Sequence, residues 1–176
     1  VLISVRPDAA GEVLDSIVIS APCGSAPSLP VGLNGVLERI VTSFTKPALM
    51  LNPGGEGLLT MYLDTLPEFT PVYTLGGEFT FAVPELRFDG TPTRGSALPP
   101  SASLTAVETS AGRITWRVSS PAPLNSSGAL IGFRMMALSA EQECHDVKFL
   151  SGEANAAVPG QVPLPLSGYD GRICIN

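Results

Sequence analysis

The sequence predicts an all-β fold, a two-sheet sandwich of about eight strands with one short inserted helix. Three observations carry this. Short runs alternate apolar with polar residues, as strands with one buried face do. The 18 Gly and 17 Pro are spread along the chain without a repeat, so they serve turns between strands. One stretch alone, Leu33 to Phe44, carries a helical period.

Val1 to Arg6 alternates and is ended by Pro7. Glu12 to Ser20 is a second strand, with Val13, Ile17 and Ile19 on one parity, and Ala21 to Pro30 is a loop. Leu33, Val36, Leu37, Ile40, Val41 and Phe44 recur at the spacing of one helix face. Asn34 caps that helix and Pro47 forbids its continuation. Ala48 to Leu51 is a short strand, and Asn52-Pro53-Gly54-Gly55 is a turn. Gly57 to Asp64 is nearly all apolar, which predicts burial on both faces or at a subunit contact.

Gly76 to Pro84 alternates, with Phe79, Phe81 and Val83 on one face, and Glu85 to Phe88 continues it past a proline. Asp89 to Ser103 reads as a loop. Leu104 to Thr109 and Arg113 to Ser119 form a hairpin about Ser110-Ala111-Gly112, with Ile114, Trp116 and Val118 on one face. Ser120 to Ser127 is another loop, Gly128 to Leu138 a strong strand and Val147 to Leu150 a short one. Ala154 to Pro165 runs extended, and Arg172 to Ile175 pairs at a sheet edge. The expected organisation is a sandwich over 1–150 and a C-terminal tail over 151–176 that packs on it or on a neighbour. The helix favours a jelly roll over an immunoglobulin-like sandwich.

Composition narrows the function. Hydrophobic residues make up 44% and charged residues 15%, which excludes a mainly disordered chain. So low a charge fits a surface covered by neighbours. The net charge of −6 makes the chain a poor nucleic-acid binder by itself. No apolar run reaches the ~18 residues of a membrane helix, so no membrane partner is expected. Cys23, Cys144 and Cys174 are odd in number; reduced thiols are expected, with one intrachain disulfide in a secreted protein as the rival.

Three stretches resemble the shell domain of small icosahedral plant RNA virus coat proteins, of the sobemovirus and tombusvirus type. They are Asp15 to Ser20 with its Pro-containing loop and Val31-Gly32; Leu33 to Phe44 with Leu49-Met50-Leu51, Pro53 and Gly57 to Asp64; and Gly112-Arg113-Ile114 through Ser127 to Arg134. The resemblance implies a coat subunit whose partners are copies of itself, assembled into virions in the host cytoplasm. It also implies calcium at subunit contacts, which places Asp64 and Glu68 as ligands. The basic arm through which such shells hold viral RNA is absent from this sequence. Arg113 to Leu138 also resembles the closing strands of cohesin-like sandwiches in bacterial surface proteins.

Few residues offer chemistry. His145 is the sole histidine, and in an extended segment Cys144 and His145 point to opposite faces, so they make no nucleophilic dyad. Cys23, Cys144, His145 and Cys174 lack the close ligand spacing of structural zinc sites. No catalytic residue is predicted, and the chain is not expected to be an enzyme. Arg113, Arg117 and Arg134 lie on strands and are candidates for RNA phosphate contact. Asn125-Ser126-Ser127 fits a glycosylation sequon. The expected function is a self-assembling viral capsid subunit. The alternative is a secreted bacterial β-sandwich module at the cell surface: a filament or adhesin subunit, or a cohesin-like or carbohydrate-binding domain.

Overall fold

The computed structural model describes residues 11–18, 28–35, 40–67, 70–156, 158–159 and 163–176. The predicted strand over 1–6, Cys23 and Glu68 lie outside the described residues. The chain divides into two units, Val1–Leu37 and Glu38–Asn176. In the first, β1 (Gly11–Val18) pairs antiparallel with β2 (Ser28–Gly35), from Gly11 opposite Gly35 to Val18 opposite Ser28.

The second unit holds β3 (Ile40–Phe44), β4 (Leu49–Leu51), β5 (Glu56–Thr65), β6 (Val72–Thr80), β7 (Leu86–Arg94), β8 (Ser103–Ser110), β9 (Arg113–Leu124), β10 (Gly128–Ala137), β11 (Cys144–Ala154), β12 (Leu164–Tyr169) and β13 (Gly171–Ile175). One arm of the sheet runs β7-β10-β5-β3-β12 and the other β12-β11-β6-β9-β8. β12 joins them, pairing parallel with β3 and antiparallel with the end of β11. β13 links the start of β11 to β4. The arms face each other through aromatic rings. Phe79 of β6 meets Phe44 of β3 at 5.2 Å and Phe133 of β10 at 4.8 Å, both edge to face. The fold is therefore an all-β sandwich.

The predicted helix is corrected. Its residues 33–35 end β2 and its residues 40–44 are β3, so no helix spans Leu33 to Phe44. Ile40 and Phe44 are four apart, a spacing that serves one helix face and one strand face alike. The β-branched run Ile40-Val41-Thr42 decides for the strand, because such side chains pack better on a pleated surface. Burial on both faces of Gly57 to Asp64 is also corrected. Leu59, Met61 and Leu63 are buried, whereas Leu58 and Tyr62 on the other face are exposed.

Turn chemistry holds where it was read. Gly55 N donates to Asn52 O at 2.8 Å, and Gly112 takes a φ of 74° in the β8–β9 hairpin. Ile114, Trp116 and Val118 share the buried face of β9. The predicted loops 89–103 and 120–127 are shorter than expected, since β7 reaches Arg94 and β9 reaches Leu124.

Candidate functional site

The outward face of β11, β6 and β9 carries an open trough of about 440 Å³. Its construction starts from alternation along β6. Leu75 and Phe79 point into the core, and Gly77 between them points the same way. A Cβ on Gly77 would collide with the Ser151 carbonyl oxygen at 2.5 Å and lie 3.2 Å from the Cα of Gly152, its partner on β11, and 3.3 Å from Trp116 Cζ2. The missing side chain thus lets the β11 backbone and the buried Trp116 indole close in on β6.

Gly76 has the opposite parity and faces out. It stands opposite Arg117 on β9 and Glu153 on β11. A Cβ there would meet only Trp116 O at 3.3 Å and Arg117 Cγ at 3.9 Å, so the position is open to solvent. The row Glu153–Gly76–Arg117 is an anion, a gap and a cation, with the two flanking strands about 10 Å apart, two strand spacings. Arg117 and Glu153 are both exposed, and neither joins an ion pair among the described residues.

The next row is closed. Arg113 Nε donates to Glu78 Oε2 at 3.1 Å, a second guanidinium nitrogen, Nη2, bonds the same oxygen, and the Thr115 hydroxyl donates to Glu78 Oε1 at 3.1 Å. The Arg113 bonds first, then that of Thr115, hold the Glu78 carboxyl below its ordinary range, against a smaller opposing push from desolvation. Asn155 fixes the end of the trough. It is fully buried at a φ of 56°; its Oδ1 accepts from Tyr73 N at 2.8 Å and its Nδ2 donates to Pro71 O at 2.7 Å, clamping the end of β11 to the start of β6.

The predicted site residues fall in different places. Arg113 and Arg117 share the outward face of β9, but Arg113 is spent on Glu78. Arg134 lies on β10 in the other arm and bridges Asp89 at 3.1 Å and Glu56 at 3.5 Å. The three arginines therefore form no common basic surface, and two of them are paired with carboxylates. Asp64 is exposed near the end of β5. His145 is buried on β11, with Nδ1 3.3 Å from Glu143 Oε1 and Nε2 sealed without a partner among the described residues. Cys144 and Cys174 stand opposite each other on β11 and β13 and form a disulfide. The expectation of reduced thiols is corrected, because register brings the two thiols together across 30 residues of sequence.

Gly76, Glu78, Ser151 and Glu153 were not singled out from sequence. A Gly-Gly pair inside an otherwise regular strand was the available signal, since such a pair marks a close backbone approach or an opening.

No protein-family model and no curated protein matches the sequence. Solved structures do match. The chain is similar to the cohesin module of a family 33 glycoside hydrolase from Clostridium perfringens, with a TM-score of 0.67 and 12% identity over 79% of this chain and 98% of that one. It is similar to the sixth cohesin of Acetivibrio cellulolyticus scaffoldin B, solved in complex with a Cel5 dockerin, with a TM-score of 0.63 and 11% identity over 80% and 100% of the two chains. A non-cellulosomal cohesin from the archaeon Archaeoglobus fulgidus gives a TM-score of 0.61 and 10% identity over 80% and 92%. These likenesses overturn the resemblance to viral shell domains, and with it the capsid function, the self-assembled virion and the RNA partner; what this chain shares with its structural neighbours is the cohesin sandwich.

Proposed function

We propose that this chain is a protein-binding module that acts outside the cell and takes a partner of the dockerin kind on the trough of β6, β9 and β11. The observation that carries this is the Glu153–Gly76–Arg117 row, an opening in an otherwise filled sheet face with unpaired charges on both walls. The cohesin from Acetivibrio cellulolyticus solved with a dockerin supports the partner class. The Cys144–Cys174 disulfide supports an oxidising location, since such bonds persist there and are rare in reducing cytosol. The path of the chain, which alternates between the arms from β5 to β8 and again from β9 to β11, supports a jelly roll.

We read the chain as a binder and not an enzyme. Its sole histidine is enclosed, and the neighbouring Cys144 is held in a disulfide, so neither offers a nucleophile or base at the trough. Calcium at Asp64 and Glu68 has no part in this reading.

The test is a panel of dockerin modules displayed on yeast and probed with the labelled chain. The expected result is saturable binding by at least one module, lost when Gly76→Leu puts a side chain in the gap. Absence of binding across the panel, or binding indifferent to Gly76→Leu, overturns the proposal.

A further inference from the structure

The trough face carries charge in two states. Glu78 and Arg113 are paired with each other, and Thr115 bonds the second carboxylate oxygen of Glu78. Glu153 and Arg117 are held apart by Gly76, one strand on either side of it. Their backbones are about 10 Å from each other, and the two side chains form no ion pair among the described residues. Both side chains keep their water in the free protein. A partner that fills the gap excludes that water and must then supply the missing counter-charges, or leave two ions desolvated and unpaired.

We infer that the trough selects a zwitterionic protein segment: a small residue seated over Gly76, an acidic side chain reaching Arg117 and a basic side chain reaching Glu153. This inference rests on the trough being the binding surface. It adds a direction. A segment laid in the opposite sense puts acid on Glu153 and base on Arg117, and like charges brought together at a desolvating contact are strongly rejected. The trough therefore accepts its partner in one orientation. The fixed Glu78–Arg113 pair takes no part in this choice, because each already has its counter-ion. Lys148 and Thr80 lie further along the same outward face and do not line the opening.

The experiment pans a phage-displayed library of random 20-residue peptides on the wild-type chain at low salt, then measures the enriched clones against variants. Clones are expected to share an acid and a base flanking a small residue. Their affinity is expected to fall about tenfold for Arg117→Glu and for Glu153→Lys, and to fall less as salt is raised. The double variant Arg117→Glu/Glu153→Lys is expected to recover binding only for clones whose own acid and base are exchanged. Clones that lose binding with Gly76→Leu but ignore both charge reversals overturn the charge selection and leave the trough as the binding surface. Clones indifferent to Gly76→Leu, or no enrichment, overturn both. Urea denaturation of each variant confirms that it is folded.

Discussion

Each arm of the sandwich presents one glycine on the outward face of a central strand, and the two have opposite fates. Gly76 on β6 has nothing near it but a carbonyl oxygen and the stem of Arg117. Gly132 on β10 is roofed: a Cβ there would lie 2.8 Å from both methyl carbons of Leu58 and closer still to the Thr93 hydroxyl. The arginines differ in the same sense. Arg134 beside Gly132 is tied to Asp89 and Glu56, whereas Arg117 beside Gly76 is uncommitted. A glycine on a sheet face thus makes a site only where its cross-strand neighbours decline to fill the space. Leu58 reaches across on one arm, whereas on the other only the stem of Arg117 comes near Gly76, and Arg117 and Glu153 remain exposed.

The two arms share one core, and Phe79 is the side chain that joins them most tightly. It touches Phe44 and Phe133 of the opposite arm, so Phe79→Ala is expected to cost about 4 kcal/mol. Urea denaturation should show a lower midpoint with one cooperative transition. Two separate transitions would mean that the arms are independent. Asn155→Ala comes next, at about 3 kcal/mol, because it strips the Tyr73 amide and the Pro71 carbonyl of their partner at a buried site. Asn155→Gly keeps the left-handed backbone but loses the same bonds, so it should recover only the conformational part, about 1 kcal/mol.

How much of this was legible follows from how local each signal is. β9 and its hairpin were readable, because Ile114, Trp116 and Val118 alternate strictly and Gly112 supplies the turn. β3 reads as helix in sequence because Ile40 and Phe44 fit both periods, and pairing with β5 and β12 settles it as strand. β12, with Pro165 and Gly168 in it, has little strand propensity of its own. It exists through its parallel register with β3 and through Phe149 packing into the space at Gly168. The trough was invisible for the same reason. Gly76, Arg117 and Glu153 become neighbours only once β6 lies between β9 and β11. Asn155 carried no local signal either, sitting between two alanines, one at each side of it.

Placing the same side chain at both glycines measures the contrast directly. Gly132→Leu must displace Leu58 and Thr93, and is expected to cost about 2 kcal/mol. Gly76→Leu meets one tight contact, its Cβ 3.3 Å from the Trp116 carbonyl oxygen, and otherwise open space, so it is expected to cost less, about 1 kcal/mol. The midpoints of two denaturation curves decide it. Equal losses would show that the opening over Gly76 is closed in solution and that the two faces do not differ.

The smallest effect concerns the pair that closes the second row of the trough. Glu78 is held below its ordinary value of 4.5 by Arg113 and then Thr115. A carboxylate with a depressed folded pKa adds stability that is fully present above the unfolded pKa and is lost as pH falls through the folded one. Wild type should therefore exceed Glu78→Gln in stability by a constant amount from neutral pH down to about pH 5. The margin should narrow below that, and vanish once the carboxyl is protonated in both states. Part of Glu78 is open to solvent, so the margin is small and shrinks further in high salt. Arg113→Gln should show the same narrowing, whereas Arg117→Gln should run parallel to wild type across the whole range. A pH-dependent margin at Arg117 would reveal a carboxylate partner for it in the free protein, and the distinction between a committed and an uncommitted arginine on this face would fail.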